Sequence, residues 1–195
     1  MLLARRLSWI VFLFVAPLVL TACDSGPSSA VTSPAGSGGF DLNSCTIPTD
    51  RLVDGGVGKD GIPALTNPAL AEPGSPVVDY LAESDRVIGV LFGDEPLAVP
   101  HNILWHHEVV NIDNWGGETF AVTYCPLTGS SLVFDRSAAD GAEFGVSGLL
   151  FQNNLVMYDR NNQESLWPQM NRQANCGAAE GTALSMLPAI EMIWG

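Results

Sequence analysis

Imidazole is both a common metal ligand and a base, and this chain keeps all three of its histidines, His101, His106 and His107, in one short segment. The second reactive group is sulfur. Four cysteines are present, Cys23, Cys45, Cys125 and Cys176. Cys125 closes a β-branched and aromatic run and opens the turn Pro126-Leu127-Thr128-Gly129-Ser130-Ser131. Hydroxyls and glycine-loosened N–H groups there could face a thiol, which suits a nucleophile or a soft metal ligand. The plainer reading of Cys125 is a small buried hydrophobe.

His101, His107 and Cys125, joined by Met157, would give a nitrogen and sulfur ligand set fit for copper or zinc. The same residues could instead form a Cys–His nucleophilic pair, with Glu108 or Asp159 orienting the imidazole. Helical geometry limits the first idea. At about 100° per residue, His101 and His107 lie about 120° apart, so His101 must join from the turn before the helix. His107-Glu108-x-x-Asn111 resembles the zinc-protease HExxH, but asparagine replaces the second histidine and is a poor zinc ligand, so a protease is rejected. Met157 alternates within a strand and reads as core. Lys59-Asp60-Gly61 and Asp159-Arg160 read as turn and salt-bridge residues. Trp105, Trp115 and Trp167 could line a pocket, although core packing is their plainer role.

The elements that must position these groups are short strands. Val87–Phe92 and Leu97–Val99 flank Gly93-Asp94-Glu95-Pro96, a predicted hairpin. Thr119–Tyr124 leads into Cys125. Ser131–Asp135 and Glu143–Ser147 flank Asp140-Gly141, a strong hairpin signal, and Gly148–Phe151 and Leu155–Asp159 flank Asn153-Asn154. Ser165–Trp167 follows. Asn102–Val110, after Pro100, is predicted as a short helix. The fold class expected is mainly β (α+β), an antiparallel β-meander with one or two short helices.

The chain has 8 Lys+Arg against 21 Asp+Glu and a formal charge of −13. Arg5 and Arg6 belong to a leader, so the mature chain is more acidic still, which excludes a phosphate-tracking surface and with it nucleic acid as a partner. The apolar run Trp9–Leu20 covers about 18 Å, short of the roughly 30 Å needed to span a membrane. It ends in Leu20-Thr21-Ala22-Cys23, the pattern of a bacterial lipoprotein signal in which the Cys23 thiol accepts the lipid. Residues 1–22 are therefore expected to be a signal peptide and 23–39 a lipid-anchored Ser/Gly/Pro-rich tether. Residues 40–195 form a single globular domain. Its apolar close, Leu187–Gly195, suggests truncation at the C-terminus or a final packed element. The expected location is the cell envelope, facing the periplasm or the exterior. In that oxidising compartment Cys45, Cys125 and Cys176 are an odd set, so one thiol stays free, binds metal or pairs between chains. Cys45–Cys176 is one candidate pairing, which would close a long loop and leave Cys125; the sequence leaves the connectivity of the three open.

Several stretches then line up with a family. They are Lys59-Asp60-Gly61-Ile62-Pro63, Pro100-His101-Asn102-Ile103-Leu104 with His107-Glu108-Val109-Val110-Asn111, and Tyr124-Cys125-Pro126-Leu127-Thr128-Gly129. Phe144–Leu150, Asn154–Arg160 and Ser165-Leu166-Trp167 complete the set. Together they resemble the prokaryotic domain of unknown function 3179, found on secreted or lipid-anchored proteins. The resemblance runs from about Cys45 to the end. It implies a fold unit without implying a reaction. Many members carry a second cysteine where this chain has Thr128, so the dithiol chemistry of a CxxC pair is not expected here. Members also usually continue past the point where this chain stops.

The function expected is a lipid-anchored binding module for a ligand, metal or partner protein at the membrane surface. The alternative is a metal- or thiol-dependent enzyme using Cys125 with the His101/His107 segment and Glu108.

Overall fold

The computed structural model describes residues 38–161 and 164–195. The expected leader, Cys23 and the part of the expected tether before Gly38 lie outside them. The described elements run β1 (Leu52–Asp54), β2 (Leu65–Thr66), β3 (Arg86–Phe92), β4 (Glu95–Pro100), α1 (His101–His107), β5 (Val109–Trp115) and β6 (Glu118–Cys125). They continue with β7 (Ser130–Asp135), β8 (Phe144–Phe151), β9 (Asn154–Asp159), β10 (Leu166–Pro168) and β11 (Ile190–Ile193). The fold is mainly β, with antiparallel sheets and one α-helix among the described residues. One pairing departs from this: β2 runs parallel to β5.

The strands form three sheets, in the orders β11-β3-β4, β2-β5-β6-β7 and β1-β8-β9-β10. Side-chain alternation in the second sheet explains how they stack. Val110, Ile112, Phe120, Val122, Tyr124 and Val133 share one core with Ile88, Val90, Phe92 and Val99 of the first sheet and Leu104 of α1. Val109, Ala121, Cys125 and Phe134 share another with Phe144, Val146, Leu155, Met157 and Trp167 of the third. The second sheet is thus covered on both faces, which is why its strands read as nearly continuous apolar runs. Beyond the third sheet, Leu52, Val156, Tyr158 and Leu166 pack with Phe40 and Cys176, and Cys176 is bonded to Cys45, which settles a connectivity the sequence left open.

Three local expectations are corrected. The helix predicted over 102–110 ends at His107, and Val109 and Val110 open β5 instead, one β-branched side chain in each of two cores. Asp140-Gly141 does not join a hairpin: β7 pairs β6 and β8 pairs β9, so the segment crosses between sheets. Arg136 explains the crossing. Its guanidinium is fully buried, hydrogen-bonds the carbonyls of Ala142 and Ile112, and ion-pairs with Asp113, tying the crossing segment to the end of β5. Finally, 143–147 and 148–151 are one strand, β8, with a register shift between Val146 and Leu150. The turn to β9 is Gln152-Asn153, both at positive φ.

The turn expected after β3 is present, and a further tight turn, not expected from the sequence, precedes β6. Gly93-Asp94 joins β3 to β4, and Gly116-Gly117 joins β5 to β6. At Gly116, φ is +57° and a Cβ would stand 2.2 Å from the Phe92 carbonyl oxygen, so only glycine fits. The apolar tail forms β11, antiparallel to β3, with all four residues exposed.

Candidate functional site

Cys125 lies at the end of β6, paired across the ladder with Ser130. It is 1% exposed and packs in the core between the second and third sheets. Polar groups cluster around the same turn. Gln169 donates to the Thr123 hydroxyl (2.9 Å) and receives a bond from Ser130 Oγ (3.2 Å). Asn154 Nδ2 donates to Thr128 Oγ1 (2.8 Å) and Ser130 Oγ (2.9 Å), while its Oδ1 is buried without a hydrogen-bond partner among the described residues. The hydroxyls anticipated from the sequence are thus present, and their hydrogen bonds go largely to one another and to Gln169 and Asn154.

The histidines do not converge on the thiol. Alternation along β6 turns Tyr124 and Cys125 to opposite faces, and the His101 ring packs on Tyr124, 4.5 Å between ring centres. One sheet therefore separates His101 from Cys125. His101 Nε2 lies 3.6 Å from Glu191 Oε1, beyond hydrogen-bond reach, and burial, helped by the Arg86 charge, lowers its pKa. His106 is exposed. His107 is held elsewhere, its Nδ1 2.8 Å from the Pro63 carbonyl oxygen. Among the described residues no three His, Cys, Asp or Glu side chains form a group able to hold a metal. The His101, His107 and Cys125 copper or zinc set is corrected on that geometry, and Met157 is a core residue.

Glu108 ends α1 with φ +56° and ψ −33°, an unusual conformation for a residue with a side chain. Its N–H bonds to the Leu104 carbonyl and its own carbonyl accepts the Tyr124 N–H, which fixes the switch from helix to strand. Burial pushes its carboxyl up to about 7. Asn111, at the would-be second-ligand position, is a backbone clamp. It donates to the carbonyls of Phe144 (2.9 Å) and Leu65 (3.1 Å) and accepts the Phe144 N–H (2.8 Å). Asp159 does not orient an imidazole: it takes the Trp167 indole N–H (2.8 Å) and the Ser165 N–H (3.2 Å) and, by burial, has a raised pKa. Lys59 pairs with Glu164 and Asp60 with Arg160, as turn and salt-bridge residues.

What residue-by-residue reading missed is a cavity. A space of about 380 Å³ lies between the 68–81 segment, strand β4 and the β2–β5 edge. Its walls are nearly all apolar or aromatic, among them Leu97, Val110, Ile112, Trp115 and Trp194, and among the described residues Glu72 is the one charged residue on them. Of the three tryptophans that could have lined a pocket, Trp115 does; Trp105 is exposed and Trp167 is core. A second apolar hollow lies across Gly89, Leu91, Ile190 and Met192.

The family model described as "Protein of unknown function (DUF3179)" matches residues 59–195. The chain belongs to this family. No curated protein and no solved structure matches it. The DUF3179 match takes in the Cys125 turn, α1 and every wall of the cavity, and it begins after Cys45 of the disulfide.

Proposed function

We propose that this DUF3179 chain is a lipid-anchored extracytoplasmic binding module whose cavity beneath the 68–81 segment holds an apolar small molecule. The carrying observation is the cavity itself. Its volume falls within the roughly 300–1,000 Å³ of small-molecule sites, and its lining is apolar with a single charge. The Cys125 cluster supports an enzyme less well, because the thiol is buried and His101 lies on the other side of the sheet. The lipoprotein-type ending at Cys23 supports placement at a membrane surface, where apolar ligands are abundant.

All three cores lie within residues 40–187, so a soluble chain of residues 38–195 serves for binding. The test is enhancement of N-phenylnaphthylamine fluorescence, with Val78→Trp to fill the cavity. Saturable uptake that Val78→Trp weakens at least tenfold supports the reading. Equal uptake by both proteins, or none by either, refutes it. For the anchor, Cys23→Ser in the full chain should abolish palmitate labelling.

A further inference from the structure

The way β4 borders the cavity restricts what can sit there. Pro96, Leu97, Ala98, Val99 and Pro100 all line it, consecutive residues rather than alternate ones. The cavity therefore runs along the edge of β4, not over one face. Among the described residues that edge is unpaired, because β4 pairs only with β3. Pro96 and Pro100 have no N–H to give, which assigns them and Ala98 between them to the positions of the ladder that do not bond β3. Ala98 thus turns both its N–H and its C=O outward. Pro96 turns out only a carbonyl, and the Pro100 carbonyl is taken by the first turn of α1, which Pro100 caps. Among the described residues no other backbone or side-chain group bonds Ala98, which is exposed.

The free edge offers an occupant one donor, the Ala98 N–H, and two acceptors, the carbonyls of Ala98 and Pro96. An added peptide strand fits this poorly, since its own carbonyl opposite Pro96 would find no N–H. A fatty-acid carboxylate fits no better: it needs donors, meets only one, and faces Glu72 in a chain of charge −13. A hydroxyl satisfies the edge, accepting from the Ala98 N–H while donating to a neighbouring carbonyl. The remaining walls ask for hydrocarbon. We infer that the cavity takes an apolar molecule whose polar end is a neutral hydroxyl, seated on the Ala98 edge of β4. This rests on the cavity being the binding site proposed above.

The probes are decane, decanol and decanoate, competing with N-phenylnaphthylamine on the 38–195 chain and on Ala98→Pro. Proline at 98 shares the phase of Pro96 and Pro100, so it removes the outward N–H and leaves the ladder bonds to β3 intact. Two added hydrogen bonds should make decanol bind about tenfold tighter than decane, with decanoate no tighter than decane. Ala98→Pro should weaken decanol about threefold and leave decane unchanged. Decanoate binding more tightly than decanol overturns the inference, as does a folded Ala98→Pro that binds decanol like the wild type. If Ala98→Pro does not fold, the wild-type order of the three probes decides. Failure of the dye and of decane to bind at all overturns the binding reading itself, a separate result.

Discussion

Cys125 is the one free cysteine among the described residues, so in residues 38–195 a single thiol reports its own burial. At 1% exposure, with Phe144, Met157 and Trp167 in its core, it reacts with a thiol reagent only when the space between the second and third sheets opens. Opening a core of this kind costs a large share of global stability, about 5 kcal/mol or more. Labelling of the native chain should then run more than a thousand-fold slower than labelling in denaturant, since each 1.4 kcal/mol is a factor of ten. Stopped-flow or mass-spectrometric reaction with a maleimide measures both rates. Cys125→Ala should cost about 1 kcal/mol of stability and leave uptake of the apolar dye unchanged. Native labelling within tenfold of the denatured rate would falsify the buried-hydrophobe account and restore Cys125 as a reactive site.

Three further outcomes follow from the packing. Glu108 has a folded pKa of about 7 against an ordinary value of 4.5, so the folded chain binds the extra proton between those values. Stability should therefore fall as pH rises from about 4.5 to 7 and level off above, and Glu108→Gln should flatten that slope in urea melts, gaining about 1 kcal/mol at pH 8, less than full linkage because the side chain is half-buried. Asp113→Ala leaves the buried Arg136 guanidinium without its carboxylate and should cost about 2–3 kcal/mol by denaturant midpoint, more than Asp135→Ala, whose carboxylate accepts from the exposed Ser137 N–H and hydroxyl. Removing the Cys45–Cys176 bond, 131 residues apart in sequence, should lower stability by about 4–5 kcal/mol in the same assay.

Local physics made much of the fold legible before any coordinates. Strands at 87–92, 119–124 and 155–159 announce themselves by β-branched and aromatic runs, and Gly93-Asp94 by its turn chemistry. The odd cysteine count said that one thiol would be left over, and the structure, by joining Cys45 to Cys176, decided which. Asp140-Gly141 misled because the same dipeptide that closes a hairpin also ends a short turn between sheets, and the buried Arg136 that decides between them acts through Asp113, distant in sequence. Glu108-Val109-Val110 read as helix because nothing local says that Val109 and Val110 must enter different cores.

The site divides the same way. Residue types alone singled out the turn after Cys125, and its hydroxyl cluster exists. Composition and charge alone argued against nucleic acid as a partner, and the pattern ending at Cys23 alone raised a lipid anchor. Tertiary structure decided what these residues face. Which side of β6 the His101 ring packs against, and whether hollow space remains beside β4, depend on how three sheets stack, and that is a property of side chains from distant segments meeting rather than of any one stretch of sequence.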